Sequence, residues 1–281
     1  MFILKRLFLI GIAIAILVLL LIRIRYDRLV KQVWRSLKSQ PSNAVFTQEM
    51  VAHLDEPVQR YFLHAIAPRT SLANYVELKM NGSFRLKPNA AWLDLKASQI
   101  ISIMPGLIWK ANIGNGLTSF CGADYYSKRQ GRTKFSFWGL IPLVDAQSKD
   151  VDCEASRRHR SAAGRLGAEY IWLPSALLLH RGVDWKTISQ DTIQANFSID
   201  NESICLTLTI DRDGRLIELS LPRCGNATVD QSWQYSTFIA DMSAEETFEG
   251  YTIPTNISAG WLDRNQYQIF FRSTVNRAEF G

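Results

Sequence analysis

What this chain of 281 residues lacks narrows its chemistry first. It has four cysteines, Cys121, Cys153, Cys205 and Cys224, and no C-x-x-C spacing, so zinc ribbons and thioredoxin-like redox sites are excluded. The thiols read as unpaired and without a special role. Its four histidines, His53, His64, His159 and His180, form no metal-spaced pair. No G-x-S-x-G, H-E-x-x-H, P-loop or G-x-G-x-x-G occurs. Ser175 follows Pro174 and lacks a nucleophile elbow. No metal and no cofactor is expected, and the chain reads as a binder rather than an enzyme. Acid is scarce at the start: in residues 1–40, eight Lys and Arg face Asp27 alone. The other residues hold 24 basic and 25 acidic groups, so the folded part has no net positive charge with which to grip nucleic acid.

What is present begins with an uncharged apolar run from Leu7 to Ile22. Sixteen helical residues rise ~24 Å, slightly short of a ~30 Å hydrocarbon core. Phe2–Leu4 and Ile24 lengthen the run, because Lys5, Arg6, Arg23 and Arg25 can snorkel. A cleaved signal peptide needs small residues after the run, and here Arg23-Ile24-Arg25-Tyr26-Asp27 follows. No cysteine follows either, which argues against a lipoprotein. An uncleaved single-pass anchor is therefore the stronger reading. Two basic residues precede the span and six follow it, which by charge alone points the remainder into the cytoplasm.

Three segments follow from the patterning: a transmembrane anchor over 1–25, a juxtamembrane amphipathic helix and linker over 26–48, and a single β-rich domain over 49–281. Tyr26, Leu29, Val30, Val33, Trp34 and Leu37 recur at helical spacing, with Arg28, Lys31, Arg35 and Lys38 opposite. Such a helix would lie on anionic headgroups or stand as a solvated stalk. Asp55 and Pro57 open a second helix with Val58, Tyr61, Phe62, Ala65 and Ile66 on one face, stopped by Pro68. The period then changes to two. Val76, Leu78, Met80, Phe84 and Leu86 alternate with polar residues, and the same alternation recurs over 93–103, 193–199, 204–210, 217–221 and 267–275. Asp200-Asn201 and Asp213-Gly214 suit hairpin turns. One helix, from about Glu154 to Leu173, interrupts the strands and ends at Pro174. The expected fold is mainly β (α+β): an N-terminal transmembrane helix, then a curved antiparallel sheet or incomplete barrel of about ten strands, one face dry and one wet, wrapped around a central helix.

Three stretches resemble an uncharacterised bacterial family whose members carry an N-terminal membrane segment and only a domain-of-unknown-function label. They are Glu56-Pro57-Val58-Gln59-Arg60-Tyr61, Phe137–Ala146 (FWGLIPLVDA) and Ala168–Leu178 (AEYIWLPSALL). The resemblance runs from about residue 50 to the end. Glu249–Ile257 (EGYTIPTNI), with the strand over 266–277, is similar to the late strands of LolA/LppX-type lipoprotein and lipid carriers. That resemblance implies an incomplete barrel around a helix, an apolar cavity and an extracytoplasmic, periplasmic domain.

Glu169 stands in an apolar helix end with Arg165 one turn earlier. The pair is either an ordinary i,i+4 ion pair or a polar anchor that orients a ligand head group. Trp172, Trp109 and Trp138 are candidates to line an apolar site, or to be packed as core. The expected ligand-binding set is thus Glu169, Arg165, Trp172, Trp109 and Trp138, with no catalytic residue. Its ligand would be a lipid, a lipoprotein or another apolar molecule held between the concave sheet and the helix at 154–173, and its partner the membrane lipid. The alternatives are a structural or partner-binding envelope protein without a cavity, and a hydrolase or isomerase using Glu169.

Overall fold

The computed structural model describes residues 2–40, 42–87, 89–147, 153–225, 233–263 and 266–281. Side-chain alternation builds its sheet. In β1 (Tyr75–Phe84) and β2 (Leu93–Ser102), Val76, Leu78, Met80, Leu95, Ala97 and Ile101 share one face and are buried. The chain then runs out along β3 (Gly106–Ile113), β4 (Phe120–Ser127), β5 (Gln130–Phe137) and β6 (Ile141–Gln147), each antiparallel to the last. It crosses the inside of the curve and returns along β7 (Asp184–Thr187), β8 (Thr192–Ile199), β9 (Glu202–Ile210), β10 (Leu216–Gly225), β11 (Gln234–Phe248), β12 (Tyr251–Asp263) and β13 (Gln266–Phe280). β13 pairs with β1, so the two meanders join mid-sheet and leave β6 and β7 as the edges of one open sheet of thirteen strands. Asp200 and Asn201 are both left-handed, as the tight β8–β9 turn requires.

The crossing segment fills the curve. α3 (Cys153–Glu169) is followed by 3-10 turns at Tyr170–Trp172, Pro174–Leu177 and Leu179–Arg181, so the helix ends four residues before the expected Leu173. Leu166, Ile171, Leu173 and Leu177 are buried in one cluster with residues from both meanders. Gly167 lets α3 lie close to β9, where an added Cβ would press on Ile204. A short α2 (Glu56–Ala65) packs Tyr61 and Phe62 against Trp185.

The long helix α1 (Phe2–Leu37) corrects an expectation. The apolar stripe of its C-terminal half does not stand free in solvent. It packs on the outer face of β2–β4, where Val30 and Leu37 are buried with Ile100, Ile108, Ala123 and Tyr125. The adjacent pairs Ile100-Ile101 and Leu107-Ile108 are apolar on both faces, so the sheet is dry outside as well as inside here. α1 runs from the β5–β6 turn, where Arg23 donates to the Trp138 carbonyl at 3.0 Å, to Gly106 at the start of β3, which Leu37 touches. Its apolar run emerges beyond the β5–β6 end of the sheet and is exposed in the protein alone. It is one helix long and apolar enough to cross a membrane. Cys121 and Cys205 are free thiols, and Cys153 lies outside the residues whose side chains are described.

Candidate functional site

The concave face carries a polar cluster inside an aromatic surround. Gln99 and Asp124 stand at inward positions of β2 and β4, in line with apolar neighbours such as Ala97 and Tyr126. Arg165 reaches them from α3. Its guanidinium contacts Asp124 Oδ2 at 2.5 Å and Glu169 Oε1 at 2.8 Å, and lies 5.3 Å from the centre of the Trp109 ring. Gln99 donates to the second Glu169 oxygen, and the Thr133 hydroxyl donates to Asp124 at 2.8 Å. Burial by itself lowers Arg165, but the Glu169 and Asp124 carboxylates outweigh it and hold the guanidinium above its ordinary value.

Arg223 on β10 adds a second inward cation. It donates to the Ser161 carbonyl at 3.1 Å and lies 5.2 and 5.3 Å from the Phe238 and Trp261 rings. Among the described residues it has no carboxylate partner. Burial, then the charge of Arg165, push it down to about 10, so it remains a cation at neutral pH.

Aromatic rings connect this cluster to the edge of the sheet. Trp138 contacts Phe137, Phe137 contacts Phe120, Phe120 contacts Phe135, and Phe135 contacts Trp109, each with ring centres 6.0–6.3 Å apart. From Trp109 the series goes on to Phe84 and Phe271. Trp109 is 6% exposed, and its indole N–H has no hydrogen-bond partner among the described residues. Such an orphan donor carries a penalty of about 1–3 kcal/mol unless an acceptor reaches it. On the same face the Ser273 hydroxyl is also buried, with no hydrogen-bond partner among the described residues.

A groove of about 280 Å³ lies on the other side of the sheet, between α1 and β3–β5. Leu19, Ile22 and Arg23 form one wall, and Leu140 and Pro142 face them across a floor that includes Gly122 and Ala123. The β5–β6 turn shapes its mouth. Trp138 and Gly139 both have positive φ, and the missing Gly139 side chain is where the Arg23 guanidinium rests. A smaller cavity of about 10 Å³, beside Tyr61, His64 and Glu245, has room for about one water.

The expected residues divide by place. Arg165, Glu169 and Trp109 meet in the concave cluster. Trp172 is buried elsewhere, its indole N–H bonded to the Pro254 carbonyl at 3.0 Å. Trp138 sits at the outer turn, 49% exposed, and reaches the cluster only through the ring series. Asp124, Gln99, Thr133 and Arg223 were not anticipated. The signal for Gln99 and Asp124 was a polar residue at an inward position of a strand. Both Glu169 oxygens are taken, one by Arg165 and the other by Gln99.

A family model described as a family of unknown function (DUF6920) matches residues 52–280. No curated protein matches the chain. Among solved structures, the chain is similar to a LolA superfamily protein from Nitrosomonas europaea, at 10% identity and a TM-score of 0.41, over 85% of this chain and 94% of that one. It is also similar to an outer membrane lipoprotein-sorting protein domain from Vibrio parahaemolyticus, at 8% identity and a TM-score of 0.36, over 83% of this chain and 91% of that one.

Proposed function

The chain belongs to that family of unknown function, and on this premise we propose that it is a membrane-tethered binder of a lipid or similar apolar amphiphile, taken up on the concave face of its sheet. The observation that carries the reading is the buried N–H of Trp109, without a hydrogen-bond partner among the described residues, set among aromatic rings and beside the inward Arg165. A ligand oxygen accepting from Trp109 relieves the unmade hydrogen bond. Its chain then follows the half-buried aromatics Phe84, Phe271 and Phe137, each methylene contributing ~0.8 kcal/mol before entropy losses. Arg165 and Glu169 act here as a rigid, mutually neutralised platform that holds Trp109, rather than as the ligand's own partners. α1 is the tether, and it supplies ligand at the high local concentration of a membrane surface.

The test is photolabelling of the full chain in nanodiscs that contain a diazirine-bearing acyl lipid. Labels are expected on peptides holding Phe84, Trp109 and Phe271. Trp109→Phe is expected to lower that labelling about fivefold to tenfold, the loss of one hydrogen bond of ~1–1.5 kcal/mol, without lowering Tm. Labels confined to residues 2–22 of α1 would defeat the reading.

We place the domain on the extracytoplasmic side, against the six basic residues that follow the span. The support is the resemblance of residues 249–257 to periplasmic carriers. A phosphatase fused at Gly281 is expected to be active. A fluorescent protein that lights up there instead would turn the domain inward and leave the ligand proposal standing.

A further inference from the structure

The groove between α1 and the outer face of β3–β5 has a composition of its own. Its upper wall, Leu19 and Ile22, continues the apolar run that emerges from the sheet. Below stand Arg23, Lys110 and Lys134 against the single carboxylate of Asp27, a net charge of +2 among the lining residues. Lys110 and Lys134 lie in one row across the sheet, each paired in register with Ala123, whose small side chain leaves the space between them open. Lys134 also meets Asp145 at 3.0 Å, while Lys110 is exposed and has no charged partner among the described residues. Around the mouth, Leu117, Trp138 and Ile141 are 84%, 49% and 49% exposed. Aromatic and apolar side chains above a rim of cations match the order of layers met on leaving a bilayer.

We propose that this groove binds one anionic phospholipid of the leaflet from which α1 emerges. The phosphate lies between Lys110, Lys134 and Arg23, and the first acyl methylenes lie against Leu19, Ile22 and Leu140. The bound lipid fills the wedge between helix and sheet and sets the height of the β5–β6 turn at the interface. The inference rests on α1 being retained as a membrane anchor. It is independent of the concave-face ligand, which lies on the opposite side of the sheet.

The test is native mass spectrometry of the full chain released from nanodiscs of phosphatidylethanolamine and phosphatidylglycerol. One retained phosphatidylglycerol is expected. Lys110→Gln is expected to cut its retention about fivefold, and Lys110→Gln with Lys134→Gln about tenfold or more, with concave-face photolabelling unchanged. Lys110→Gln guards against a folding effect of the double variant, because no ion pair is broken. Leu140→Ser is expected to lower retention of both lipids. Retention that is equal for the two lipids, or unmoved by the lysine variants, overturns the proposal. An intact mass lacking the first 25 residues overturns the groove and the anchor together, and so separates that failure from a failure of the groove alone.

Discussion

Replacing Arg165 with Met is expected to lower the unfolding free energy by about 3–5 kcal/mol, the range for removing one partner of a buried ion pair. For a domain of this size that is a fall in Tm of about 10 °C. The reason is what remains. Met keeps the volume, but Asp124 and Glu169 are left facing each other on the concave face without the guanidinium that joins them. Their side chains are only 29% and 13% exposed, so water replaces little of the lost interaction. Glu169→Gln is expected to cost much less, about 1 kcal/mol, because the amide oxygen still accepts from Arg165 and the Arg165–Asp124 pair survives. Thermal unfolding of the two variants in one nanodisc preparation compares them directly. Equal losses would mean that the Glu169–Gln99 contact with β2, rather than the Arg165 bridge to β4, holds α3 to the sheet.

Trp172→Ala is expected to cost a further 3–5 kcal/mol at about the scale of a deleted core aromatic. Trp172 is 5% exposed, packed in the main core cluster, and tied by its indole to Pro254 on β12. Trp172→Phe keeps most of the volume and removes the donor, so it is expected to cost about 1–3 kcal/mol, the desolvation of a carbonyl left without its partner. Photolabelling at Phe84 and Trp109 should persist in Trp172→Phe. If labelling disappears while Tm is unchanged, Trp172 is a ligand contact and the packing assignment is wrong.

The sheet was legible wherever one face is wet. β1, β8 and β9 alternate over most of their length, with one face hidden, whereas a bulge near Leu216 turns Ile217 of β10 outward, and Ile100 of β2 is buried under α1 on the second face. β3 was not legible for a physical reason: Leu107, Ile108 and Trp109 are consecutive and apolar because α1 covers the second face. β4 was masked by its own cluster, since Asp124 occupies an inward position where alternation calls for an apolar residue. The amphipathic segment after residue 25 continues the apolar run as one helix, but its docking on the sheet was not legible. Tyr26, Val30 and Leu37 form a stripe whose partner is a sheet formed by later sequence, which local periodicity cannot reveal. The site divides in the same way. Arg165 and Glu169 were visible because they are one helical turn apart. Asp124, Gln99 and Arg223 come from separate strands, and only the curvature of the sheet brings them together.

The pairing of β1 with β13 sets the timing of assembly. Met80 is paired with Val275, so the strand begun first waits for the one made last. Until then β1 has only β2 beside it, and its other row of amides and carbonyls is unpaired. Contacts this distant in sequence make folding slow. If α1 is inserted in lipid as proposed, the nascent domain spends that interval held against the bilayer, its aromatic strands exposed beside the lipids that the finished sheet is proposed to bind. A first guest could therefore be acquired during biogenesis, before there is any entrance to pass through.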